Sequence, residues 1–183
     1  MRRYILEVKV STWTGGQSDH CALKMKEGIK RVNLGCGGTY LDGYINVDVD
    51  KRVRADLYHD INQAPLPFEC DEILADNLLE HLTEPGLQNT IKSLRVGGLL
   101  HGLVPHALYR GAYADFQHQR HFGVETLRMT GELIGRARVQ KVTVYYSIFG
   151  FRWAMPNWFV AAHEKMLPGI FPPIWVVFEL VRI

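Results

Sequence analysis

Residues 32–50 read VNLGCGGTYLDGYINVDVD. One apolar run enters a glycine corner at Gly35, Cys36 and Gly37, and a second leaves it to end in acids at Asp48 and Asp50. Short apolar runs bounded by glycine read as buried strands. In an open α/β sheet a ligand lies at the carboxyl ends of the strands, where the first turn brings main-chain N–H groups close to it. Glycine suits that turn because it takes positive φ and leaves the backbone bare. A carboxylate ending the neighbouring strand would face the same crevice, with two oxygens able to accept from both hydroxyls of a ribose. A ribose-bearing cofactor fits this pair. A dinucleotide fits poorly: its fingerprint needs a third glycine where Tyr40 stands and an acid about 20 residues on, and Asp48 arrives early.

Outward from this stretch, YILEVKV alternates and predicts an N-terminal strand or arm within residues 1–30, followed by a polar loop. RVNLG and YINVDV are the first two strands of the main domain, taken as residues 31–183, and RADLYHD is a weak third. INQAPLPFEC is a connector and DEILAD the fourth strand. From Gly86, GLQNTIKSLRV has Leu87, Ile91 and Leu94 at helical spacing and is expected to close at the following GG. LLHGLVP is the fifth strand, and GVETLRMTGELIG a second helix. RVQKVTVYYSIFGF and IWVVFELVRI read as two last strands joined by an excursion from Trp153 to Pro173.

Strands alternating with helices predict an α/β fold with a mostly parallel sheet. The links from Gly38 to Tyr44 and from Asp50 to Arg54 are nevertheless shorter than the dozen or so residues of a helical crossover. Either these crossovers are stripped to a turn or two, or the second and third strands pair in some other way.

Composition narrows the function classes. A chain of 183 residues, nearly half of them apolar, suits one domain with a core. Its net charge of +2, spread over interleaved acids and bases, disfavours a nucleic-acid partner, and Arg136, Arg138 and Lys141 read as a solvated edge. Cys21, Cys36 and Cys70 form no C-x-x-C pair and suit a reducing, cytoplasmic setting. The longest apolar run, LPGIFPPIWVVFELV, is interrupted by prolines and falls short of the ~20 residues of a bilayer-crossing helix. Oligomeric state is not legible.

Taken in order, VNLGCGGTYLDGYINVDVD, ADLYHDINQAPLPF, DEILADNLLEHL, LRVGGLLHGLVP and HFGVETLRMTGELIG resemble the class I S-adenosylmethionine-dependent methyltransferases over about residues 31–135. More narrowly, they resemble a small bacterial group whose members often accompany surface-polysaccharide and glycosyltransfer genes. The resemblance implies a Rossmann-like three-layer sandwich with a seven-stranded, mostly parallel sheet, its last strand antiparallel and its first crossovers short. It implies S-adenosylmethionine as cofactor, S-adenosylhomocysteine as product, and a small-molecule or carbohydrate acceptor. Gly35, Cys36 and Gly37 would line the methionine portion, Asp48 hold the ribose and Val49 pack beside the adenine. Asp60 and Ile61 would approach the adenine amino group, and Asp76 and Asn77 the methionine end. Asn33 stands where many members have an acid, which would make recognition of the cofactor's ammonium weaker or water-mediated. The competing reading is a non-catalytic module that binds the cofactor or serves as a partner subunit.

In-line methyl transfer needs alignment, exclusion of water and a base for a hydroxyl or protonated amine acceptor. Histidine titrates in the useful range. The candidates follow the fifth strand: His106, His118 and, first among them, His121. Asp115, His118 and His121 sit three apart and would share a helical face, but this spacing alone assigns no metal ligand. LEHL is read as core leucines, with Glu80 and His81 starting a helix or orienting neighbours, and no catalytic role is assigned to either.

Overall fold

The computed structural model describes residues 28–127, 129, 136–148, 151–156, 159, 160, 163 and 173–183. The expected N-terminal strand lies outside these residues, as does most of the second helix beyond its first turn at 124–127. The described strands are β1 (Arg31–Leu34), β2 (Ile45–Asp48), β3 (Leu57–Tyr58), β4 (Cys70–Asp76), β5 (Leu94–Pro105), β6 (Ala137–Ile148), β7 (Phe151–Met155) and β8 (Pro173–Arg182). They form one sheet in the order β3-β2-β1-β4-β5-β8-β6-β7.

The first five strands are parallel, with Val32 opposite Ile45 and Ile73, and Val47 opposite Leu57. The question left by the short links is thereby answered: β1, β2 and β3 are joined by turns, with no helix between them. β8 enters between β5 and β6 and runs antiparallel to both. This is the antiparallel last strand expected, but among the described residues the sheet already has one strand more than the seven anticipated. The run RVQKVTVYYSIFGF is not one strand. It divides, and Phe151 begins β7, which pairs antiparallel with β6 along the outer edge. β7 thus reaches into the start of the stretch read as an excursion from Trp153.

Helix α1 (Glu84–Ser93) begins before Gly86 and ends before the glycine pair. Thr83 caps it, its Oγ1 accepting from Gly86 N, and Pro85 sits in the first turn, where the missing N–H costs nothing. Leu94 is already extended and starts β5, so Gly97 and Gly98 lie within the strand segment instead of closing the helix. The apolar side of α1 packs on one face of the sheet: Leu87, Thr90 and Ile91 meet Leu79, Phe122 and Leu127 over Leu100, Phe178 and Leu180. Gly102 is required there, because a Cβ would stand 2.2 Å from the Phe178 ring. On the opposite face Leu74, Leu103, Val177 and Tyr145 are half-buried.

No helix among the described residues is long and apolar enough to cross a membrane.

Candidate functional site

The glycine corner follows β1 directly, and Gly35 and Gly37 adopt φ values of 69° and 50° that favour glycine. Gly35 N and Cys36 N both donate to Val47 O, at 2.8 and 3.1 Å. Gly37 N donates to Asp48 Oδ2 at 2.7 Å. The corner is therefore fastened to the end of β2, and the N–H groups expected to face a ligand are turned to the neighbouring strand. What it offers outward is bare Cα surface: a Cβ on Gly37 would meet nothing within 4 Å. At Gly35 the space is already taken, since a Cβ would lie 2.7 Å from Leu78 Cδ1. Leu78 follows β4 and covers the corner from across the crevice.

Asp48 closes the arrangement. Its Oδ1 accepts from Asp50 N at 2.8 Å, so two amides fix the carboxylate at the carboxyl end of β2. Each oxygen has a further lone pair for a ligand donor. Val49 beside it is 64% exposed, an apolar side chain held out next to a carboxylate. Asp60 accepts from Asn62 N at 2.9 Å and shapes the turn after β3, while Ile61 is buried in the core and its carbonyl accepts from Asn89.

Asn33 has a different place. It is buried below the corner and its Nδ2 donates to Thr39 O at 2.8 Å and to Asn46 Oδ1 at 3.0 Å. Asn46, fully buried, also accepts from Leu41 N and donates to Leu41 O, Tyr44 O and Asp56 Oδ2. Asp56 in turn accepts from Asn46 N and the Tyr40 hydroxyl, and these bonds hold its carboxyl below the usual range. This network replaces the missing first helix: it knots residues 39–46 into a fixed loop. Cys36 is buried, and desolvation with the nearby Asp48 charge pushes its thiol up.

At the ends of β4 and β5, Asn77 takes a φ of 51°, donates to Leu103 O at 2.9 Å through its backbone N–H, and bonds Asp76 Oδ1 through Nδ2 at 2.7 Å. Solvent reaches Asp76, yet the surrounding protein desolvates it enough to raise its carboxyl despite the Asn77 bond. A 3-10 turn, Leu79–His81, follows. Its Glu80 is 1% exposed, and neither carboxylate oxygen has a hydrogen-bond partner. Desolvation pushes its carboxyl up to about 7.

The histidines scatter around this turn. Residues 115–121 form a turn and irregular backbone with no helix, so Asp115, His118 and His121 share no helical face. His118 Nδ1 donates to Ala112 O at 2.8 Å and its ring meets the His81 ring edge-on, centroids 4.7 Å apart. His121 stacks on Tyr113 at 4.1 Å, with a buried Nδ1 that has no hydrogen-bond partner. His106 is 1% exposed and its Nδ1 accepts from Leu108 N at 3.0 Å, which directs it into the fold. The chain thus brings Gly35, Gly37 and Asp48 together, and gathers Glu80, His81 and His118 nearby. Sequence reasoning missed Leu78 and Glu80. The signal for Glu80 was present: a lone carboxylate within LLEHL, a run otherwise rich in leucine.

The chain matches no protein-family model and no curated protein. Solved structures do resemble it. An S-adenosylmethionine-dependent methyltransferase from Archaeoglobus fulgidus superposes with a TM-score of 0.55 at 15% identity, over 85% of this chain and 87% of that one. One from Mesorhizobium loti gives 0.57 at 12% identity, over 85% and 91%. An O-methyltransferase from a Brevibacillus brevis multienzyme, in complex with S-adenosyl-L-homocysteine, gives 0.57 at 13% identity, over 84% and 66%. The chain therefore has the fold of these S-adenosylmethionine-dependent methyltransferases.

Proposed function

We propose that the protein transfers a methyl group from S-adenosylmethionine to a small-molecule or carbohydrate acceptor. The observation that carries this reading is the Gly37–Asp48 hydrogen bond, which sets a carboxylate and a side-chain-free turn side by side at the carboxyl ends of adjacent parallel strands. The residues fit the cofactor by chemistry. Asp48 would accept from the ribose hydroxyls, Val49 would lie against the adenine, and Asp60 would stand near its amino group. Gly35, Cys36 and Gly37 would border the methionine portion, with Asp76 and Asn77 opposite.

Bound there, S-adenosylmethionine supplies an electrophilic methyl group on a sulfonium. The chain's task is to align the acceptor and keep water out. Leu78, packed on Gly35, contributes an apolar wall. His121 is the proposed base, taking the acceptor's proton as its oxygen or nitrogen attacks. The Nδ1 lone pair of His106 is already engaged by the Leu108 amide.

Calorimetry with S-adenosylmethionine and S-adenosylhomocysteine tests the reading, followed by turnover with labelled methyl donor over a panel of hydroxyl and amine acceptors. Stoichiometric binding of both nucleosides is expected. No binding of either overturns the proposal.

A further inference from the structure

We infer that Glu80, His81 and His118 form a binding site for a divalent transition-metal cation of the zinc type. One donor atom from each residue lies within 4.8 Å of the other two. Ligands of a tetrahedral ion at metal–ligand distances of about 2.0–2.2 Å stand roughly 3.4 Å apart, so small side-chain rotations bring the three onto one ion.

A second observation points to a cation independently of the clustering. Glu80 is all but completely buried, and neither of its carboxylate oxygens has a hydrogen-bond partner in another residue. Buried polar groups are almost always satisfied, and a buried carboxylate without a partner is costly. An ion shared with two imidazoles satisfies it.

The histidines are prepared for this. His118 Nδ1 must carry its proton, because its partner, the Ala112 carbonyl, can only accept. In the neutral ring that leaves the lone pair on Nε2, the arrangement by which a carbonyl orients a ligating histidine. Asp115 Oδ2, 3.8 Å from that Nε2, adds negative charge at the rim. The two segments bearing the ligands are also fastened together. Glu80 O accepts from Gln119 N at 2.8 Å and Arg120 N at 3.1 Å, and Arg120 Nε donates to Leu82 O at 3.2 Å.

Two imidazoles and one carboxylate favour zinc, cobalt or iron over magnesium or calcium, which prefer all-oxygen sites. Three protein ligands leave a tetrahedral ion one position for water or an oxygen-bearing molecule. The site does not depend on the methyl-transfer reading, and its test uses no methyl donor.

The experiment is calorimetric titration of untagged, chelator-stripped full-length protein with Zn²⁺, together with visible spectra on adding Co²⁺. One ion per chain at low-micromolar affinity or better, with cobalt d–d bands of a four- or five-coordinate site, is expected. Glu80→Gln and His118→Ala should each weaken Zn²⁺ binding by at least about tenfold and abolish the bands. Glu80→Gln is nearly isosteric, and circular dichroism of each variant verifies its fold. Absence of stoichiometric binding, or binding unchanged in both folded variants, overturns the proposal.

Discussion

The backbone N–H of Gly37 donates a 2.7 Å hydrogen bond to the carboxylate of Asp48, joining the corner after β1 to the end of β2. Two features separated by a loop become one surface. Because Gly35 and Cys36 also bond the Val47 carbonyl, the corner cannot shift without breaking contacts to β2.

Asp48→Ala should therefore act twice, removing the ribose acceptor and loosening the corner. Charge-assisted bonds contribute about 1.5–3 kcal/mol each, so affinity for S-adenosylhomocysteine should drop at least roughly tenfold. Calorimetry reads this directly. An unchanged affinity removes Asp48 from the site.

Gly35→Ala meets both an unfavourable φ of 69° and the Leu78 side chain at 2.7 Å. Overpacking of this kind costs about 1–3 kcal/mol, and the backbone adds about 1–2 kcal/mol. Gly37→Ala has open space and should lose only the backbone part. Urea denaturation of both variants, and of Gly35→Ala combined with Leu78→Ala, separates the terms. The second change should recover part of the loss, and failure to do so places the strain elsewhere.

How much of this was legible in the sequence follows from what each signal reports. Glycines and acids in residues 32–50 mark strand ends, and the shortness of the links argued against full helical crossovers, but local chemistry left open how the second and third strands pair, and the parallel β1–β2–β3 edge emerges only in the fold. The start of α1 was also written locally, in Thr83 and Pro85, although the spacing of Leu87 and Ile91 drew attention past it. The division of β6 from β7 was hidden because a β-branched and aromatic run looks alike in the two strands. Asn33 was misleading for another reason: its identity suggested a weakened ligand contact, whereas its amide supports Thr39 and Asn46. The meeting of Glu80 and His81 with His118 depends on how the loop after β5 folds back, which no spacing encodes.

The loop network gives a pH dependence with a definite sign. Hydrogen bonds from Asn46 N, the Tyr40 hydroxyl and Asn46 Nδ2 lower the Asp56 carboxyl from its ordinary 3.8. A depressed carboxyl contributes stability that is present above the unfolded value and is lost as pH falls through the lower folded value. Asp56→Asn should flatten the acid limb of the stability curve below about pH 4, and should weaken cofactor affinity by loosening residues 39–46. Thermal melts from pH 2 to 7 measure the first effect. An acid limb identical to the parent's would show that the network does not hold the loop.

His121→Ala should lower turnover by roughly 10²–10⁴-fold, the usual contribution of a positioned base, while cofactor affinity stays within about twofold. His106→Ala should instead lower the melting temperature, because that ring is buried and accepts from the Leu108 amide. Full turnover in the His121 variant discards it as the base.

The most direct measurement is a crystal structure of the protein with S-adenosylhomocysteine. The ribose hydroxyls should be found on the Asp48 carboxylate, with the adenine against Val49 and the amino-acid portion over Gly35 to Gly37. A nucleoside seated elsewhere in well-ordered density, with Asp48 still bonded only to Gly37 and Asp50, would contradict the assignment of this crevice.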